Sequence, residues 1–254
     1  MLAYNLLIER ISNIKGIKKV IIGRLKTGHP IYMISYGDGD KSVVLSAGIH
    51  GDEPAGVEAI LRFLEGGWGG FDNGIRKWDR GYKFTVFPCT NPTGYESGKR
   101  ENSIGTDLNR KFGSKNPPEE VSIIQSAVEG RRLDLYMDLH EDIDGEGFYL
   151  YEVLRKGSNN LAEEIIKDIS GKYPIDSRER IDGFPNCGGV ICPQKEGKRF
   201  HVKRNDLPLP LYLHLHGTPH CFTFESPAQF PVEERVEMHL MAIESVLSRS
   251  IQKV

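Results

Sequence analysis

The chain has 254 residues, of which 39% are hydrophobic and 27% charged, with a formal net charge of -2. That length buries a two-sided core without disulfide or metal staples. The near-neutral balance sets up no global field for nucleic acid or an acidic membrane surface, and the four cysteines have no zinc-finger spacing. The opening stretch, "MLAYNLLIERISNIKGIKKV", is broken by charges and lacks the apolar core of a signal peptide. No window approaches the roughly 18 apolar residues of a membrane span. The expectation is a cytoplasmic protein that binds neither nucleic acid nor membrane. Nothing in the sequence speaks to oligomeric state.

Two strands are expected over 18–36, around the turn "TGHP". An apolar strand follows at 43–49 and a helix at 54–65, with Ala55, Ile60, Leu61 and Leu64 as its apolar positions. "YKFTVFP" (82–88) reads as a strand closed by the turn-rich "CTNPTG". Residues 95–118 form a long polar loop, a length often tied to function in a compact domain. A helix is expected at 119–130, a strand at 133–139 ending at His140, a strand at 147–153 and a helix at 160–173. Residues 174–220 look irregular. "HCFTFE" (220–225) is a strand, and a long amphipathic helix closes the chain from about 232 to 250. Alternating strands and helices without a linker predict one α/β domain over 1–254, a mixed, mostly parallel twisted sheet with helices on both faces.

His50, Asn91, His140 and Glu225 each fall at or just beyond the end of an expected strand. In open α/β sheets ligands bind outside those carboxyl ends, so separate strands deliver reactive groups to one edge. "HGDE" puts His50 and Glu53 three residues apart in a turn entering a helix. With His140 they form two imidazoles and a carboxylate, the three-ligand set of a catalytic zinc. Asp138 shares a strand face with His140 and is placed to orient its ring. Taken singly, a strand-end histidine is more often a structural residue, and Glu53 alone would read as a helix N-terminal carboxylate. The polar loop adds Arg100, Asn109 and Arg110, and an arginine fork suits a carboxylate or an oxyanion.

The set "HGDE" (50–53), "NPTG" (91–94), "RENSIGTDLNR" (100–110), "MDLH" (137–140) and "TFESP" (223–227) resembles the zinc carboxypeptidase family. The resemblance covers roughly residues 40–250, and the motifs are weak singly but specific together. The short interval from Arg100 to Asn109 is closest to the bacterial murein-peptide amidase branch. The aspartoacylase and succinylglutamate desuccinylase branch is related through "HG-x-E" and "DLNR".

The resemblance implies one zinc per chain held by His50, Glu53 and His140, with Glu225 as general base and then general acid. It implies that Arg100 stabilises the oxyanion, that Asn109 and Arg110 bind a substrate carboxylate, and that Tyr212 is the tyrosine closing over the substrate. Phe222 and Phe224 precede Glu225 in the apolar strand "CFTFE" and suggest an apolar setting for it. Arg204 and Asp206 are the candidates for tuning side-chain preference. The expected reaction is hydrolysis of an amide next to a free carboxylate, in a small peptide or, as the alternative, an N-acyl amino acid. A non-catalytic binding protein on the same scaffold is the reading from another class, and the full set of ligands, base and anchors speaks against it.

Overall fold

The computed structural model describes residues 4–66, 74–155, 157, 160–193 and 206–251. The chain enters through helix α1 (Tyr4–Asn13) and an antiparallel hairpin, β1 (Lys18–Arg24) and β2 (Pro30–Tyr36). Strand β3 (Lys41–Ala47) leads into α2 (Pro54–Glu65), and β4 (Tyr82–Phe87) into the short α3 (Pro92–Ser97). Helix α4 (Glu119–Val128) precedes β5 (Leu135–Asp142) and β6 (Tyr149–Leu154). Then come α5 (Ala162–Ser170), a small hairpin of β7 (Arg180–Ile181) and β8 (Phe184–Pro185), and β9 (Val190–Ile191). Helix α6 (Leu209–Leu215), β10 (His220–Pro227) and the long α7 (Val232–Ile251) complete the chain.

Eight strands form one sheet in the order β1-β2-β4-β3-β5-β10-β6-β9. Pairing is parallel at β3–β4, β3–β5, β5–β10 and β6–β9, and antiparallel at β1–β2, β2–β4 and β6–β10. This is the mixed, mostly parallel α/β sheet the sequence predicts. The chain leaves β3 toward β4 on one side and returns to β5 on the other. That reversal is a topological switch point, where the crevice outside the strand ends can take a ligand.

Alternation along each strand divides the residues between two faces. Val43, Leu45, Ala47, Leu135, Met137, Leu139, Phe222 and Phe224 join a core with apolar residues of α1, α2, α5 and α7. On the other face Val44, Tyr136, Val153 and Cys221 pack with Leu108, Phe112 and the apolar sides of α4 and α6. Burial on both faces explains why β5 is buried at every position but its last. Among the described residues no helix is long and apolar enough to cross a membrane.

Three local expectations change. The turn at "NPTG" is the start of a helix: Asn91 caps it and Pro92 takes the first helical position, where a missing N–H costs nothing. The segment 174–220 holds β7, β8, β9 and α6. Its prolines read as breakers, but Pro208 and Pro210 sit at the start of α6, where proline is tolerated. Strand β5 also runs through His140 to Asp142 rather than ending at it. Parallel pairing with Ser226 and Pro227 of β10 carries it on.

Candidate metal centre

The turn between β3 and α2 is shaped by close backbone approach. A Cβ on Gly51 would lie 1.9 Å from the Gly94 carbonyl carbon, so only glycine fits there. Gly51 N and Asn91 Nδ2 both donate to the Arg100 carbonyl, at 3.4 and 3.3 Å. Asn91 Nδ2 also donates to the Ile49 carbonyl, and its Oδ1 accepts from Gly94 N at 2.9 Å. Asn91 is fully buried. It latches three segments together and has no side-chain atom left for a substrate.

The turn delivers His50 and Glu53, and β5 delivers His140. The atoms they could offer to a metal all lie within 4.8 Å of one another, and all three side chains are buried. Both imidazoles aim Nδ1 at the Glu53 carboxylate, His50 at 2.6 Å and His140 at 2.9 Å. Both turn Nε2 toward an outer carboxylate. His50 Nε2 lies 3.3 Å from Asp107 Oδ1, and His140 Nε2 lies 3.2 Å from Asp138 Oδ2. The Asp138–His140 pair has ion-pair distance without hydrogen-bond alignment, and both atoms lack a hydrogen-bond partner among the described residues. Ser46 Oγ donates to Asp138 Oδ1 (2.6 Å), which leaves the Tyr136 hydroxyl to donate to Ser46 (2.6 Å).

Electrostatics follow from this crowding. Burial alone would raise the Glu53 carboxyl; the His140 and His50 imidazoles outweigh it and hold it at about 2. Burial disfavours charge on His140, but Asp138 and Glu53 hold its pKa well above the usual imidazole value. Three buried polar groups focused on one point suit a cation, because unpaired buried charge is costly. Two nitrogens and a carboxylate, with outer carboxylates orienting the rings, match the donor set of zinc. Asp107 was not among the sequence candidates. Its Oδ1 accepts from Asn109 N at 2.9 Å, so in sequence it reads as the cap of the turn Leu108–Arg110 and nothing more.

Glu225 is the register partner of His140 on one side and of Tyr149 on the other. It is half-buried, and among the described residues no hydrogen bond or ion pair holds its carboxylate. Burial raises its pKa well above the usual carboxylate range; His140 opposes this, while Glu53, Asp142 and Asp182 add to it. Phe222 and Phe224 do not line it, since they belong to the core on the opposite face. Its neighbours are Tyr149, whose hydroxyl donates to Asp142 (3.0 Å), and Tyr151, whose hydroxyl donates to Asp182 (2.8 Å). Alternation in "YLYEV" was the signal that could have found these two tyrosines.

Arg100 reaches the cluster. Its Nη1 lies 3.4 Å from Glu53 Oε1 and its Nη2 3.4 Å from Asp107 Oδ2. Asn109 is buried beside Asp107, and its Oδ1 accepts from Leu209 N at 3.4 Å. Arg110 is exposed, and its Nη1 donates to the Asn109 carbonyl.

Tyr212 is not brought to the cluster, which corrects its expected role. Helix α6 packs its ring against Phe112 (6.0 Å between centroids) and His216 (4.1 Å). It lines a cleft of about 500 Å³ with Arg131, Leu133 and Gly217, where β5 and β10 begin rather than end. Arg204 lies outside the described residues, and Asp206 is half-buried just ahead of α6.

Comparison with known proteins bears on this geometry. The family model described as succinylglutamate desuccinylase/aspartoacylase catalytic domain matches residues 39–182. No curated protein matches the chain. Among solved structures, a candidate metallopeptidase from Shewanella amazonensis SB2B superposes with a TM-score of 0.79 at 22% identity, over 97% of this chain and 91% of that one. A metallo-carboxypeptidase from Burkholderia cenocepacia gives 0.72 at 19% identity, over 97% and 68%. Bovine thrombin-activatable fibrinolysis inhibitor, in complex with tick carboxypeptidase inhibitor, gives 0.66 at 16%, over 99% and 95%. At these identities the structures share a fold with this chain.

Proposed function

This chain belongs to the succinylglutamate desuccinylase/aspartoacylase catalytic domain family, and from that premise we propose that it is a zinc-dependent hydrolase of an amide bond next to a free carboxylate. The observation that carries the proposal is the convergence of His50, Glu53 and His140 beside a carboxylate, Glu225, that no hydrogen bond or ion pair engages among the described residues. His50, Glu53 and His140 would hold the zinc. When bound, zinc supplies Lewis acidity and lowers the pKa of water at the site.

The chain's own groups supply the rest. Glu225, half-buried and without a hydrogen-bond or ion-pair partner among the described residues, takes a proton from the attacking water and returns it to the leaving amine. Its raised pKa suits a group that must hold the proton between those two steps. Arg100 reaches the cluster from the loop side and donates to the developing oxyanion. Arg110, exposed and without a carboxylate partner among the described residues, pairs with the substrate carboxylate. Asp107 and Asp138 keep the two imidazoles turned with Nδ1 inward.

Two substrate readings share this chemistry. A small peptide with a free C-terminus is the first, supported by the "NPTG" and "RENSIGTDLNR" set and its spacing. An N-acyl amino acid is the second, favoured by the match to the desuccinylase/aspartoacylase model. The test is a panel of dipeptides, N-acyl amino acids and their C-terminal amides, run with metal analysis on the same sample. Turnover confined to free-carboxylate amides, with about one zinc per chain, is the expected result. A zinc-loaded chain that hydrolyses none of the panel would favour the binding-protein reading instead.

A further inference from the structure

Strand β5 presents His140 to the site face and its neighbour Glu141 to the opposite side, where Glu141 is only 7% exposed. Helix α2 begins at Pro54, directly after Glu53. The first N–H groups of a helix have no partner within it, and the cap residue usually supplies one. Glu53 occupies the cap position but makes no side-chain cap bond, because its carboxylate is turned to the two imidazoles. Pro54 has no N–H, so Ala55 carries the first one needing an acceptor. Ala55 N donates to Glu141 Oε1 at 2.6 Å. The other oxygen, Oε2, contacts Arg235 Nη1 on α7, which balances a buried charge.

A second contact fastens the same turn. A Cβ on Gly56 would lie 2.8 Å from Leu139 Cβ and 2.8 Å from the Leu139 carbonyl oxygen. The first turn of α2 therefore rests on Leu139 and bonds to Glu141, the residues on either side of His140. It starts one residue after Glu53. The carboxylate at the helix start also complements its dipole.

We infer that Glu141, balanced by Arg235, is a positioning residue for the metal: it replaces the cap that Glu53 gives up and so sets the separation of Glu53 from His140. The inference rests on the reading of His50, Glu53 and His140 as metal ligands. A merely structural ion pair would change stability and leave zinc affinity alone.

The test is zinc affinity of the full chain, measured by chelator competition, alongside folded fraction by circular dichroism. Glu141→Gln/Arg235→Met keeps an acceptor for Ala55 N and leaves no unpaired charge, so its affinity should stay within about 3-fold of the parent. Glu141→Leu/Arg235→Met removes only the acceptor and should bind zinc about 10-fold or more weaker, the scale seen when groups supporting a ligand are lost. Equal affinity in the two folded double variants overturns the inference. Should the Leu variant not fold, Gly56→Ala pushes α2 away from Leu139 and should show the same weakening. Parental affinity in folded Gly56→Ala overturns the inference as well. Absence of zinc binding by the parent chain would remove the ligand reading itself, a result distinct from equal affinities on a zinc-binding parent.

Discussion

The two faces of the central sheet are built from the same strands, but one is apolar along its length and the other is apolar at the starts of β5 and β10 and polar at their ends. Along β5, Leu135, Met137 and Leu139 enter the core under α2 and α7, while Tyr136, Asp138 and His140 line the other face. Along β10, Phe222 and Phe224 enter that core, while Thr223 and Glu225 face the site. The core face is close-packed and tolerates few changes. The site face keeps polar groups partly paired, and that is where chemistry becomes possible. The difference teaches that the apolar face supplies the positional precision the polar face uses. His140 and Glu225 each follow on their strands a residue locked in the core, Leu139 and Phe224.

The comparison predicts that neighbouring residues on one strand fail in different ways. The largest effect should come from Glu225→Gln. It keeps size and fold, so kcat should fall by about 10²–10⁴ with zinc retained, because Gln cannot take the proton. A kcat within a few-fold of the parent, measured on folded, zinc-loaded protein, would remove Glu225 as the base.

Phe224→Ala, one residue away, should do the reverse. It should cost about 3–5 kcal/mol in denaturant unfolding, while the protein that remains folded binds zinc normally. Loss of zinc without loss of stability would break the division between faces. On the site face, Arg100→Ala should lower kcat by about 10²–10³, the cost of one oxyanion donor. An effect on KM alone would reassign Arg100 to ground-state binding.

Metal removal comes next. If His50, Glu53 and His140 hold zinc, a chelator should lower the unfolding free energy, by about 2.7 kcal/mol relative to zinc at 100 times its Kd. His140→Ala should already show the lowered value and not respond. The smallest effect is expected at Arg110, at the exposed rim. Arg110→Ala should reduce turnover of free-carboxylate substrates by roughly 10- to 100-fold, about the 1.5–3 kcal/mol of a charge-assisted bond, and leave C-terminal amides little changed. Equal losses on both would place the carboxylate elsewhere.

Much of this was legible before the structure. Helix α2 runs over the predicted 54–65, because its apolar spacing and Pro54 at its start are local signals. The convergence of His50, Glu53 and His140 was legible because strand ends in an α/β sheet share an edge. Tyr212 was misplaced because distance along the chain from Glu225 says nothing about which end of β10 the helix α6 lies beside. Asp107 was missed because one of its oxygens serves a local turn while both reach the site.

The sequence by itself determined what is periodic or local. That includes the strands with their alternating faces, the helix after "HGDE", and the residue types able to hold a metal. Alternation sets a side chain's face through the geometry of its own backbone, with no help from distant residues. Tertiary structure alone decided the pairings across the chain. It set Asp107 beside His50 and Tyr149 beside Glu225, and bound Ala55 to Glu141. Those depend on strand order, register and where crossovers land, which are settled by the packing of the whole core.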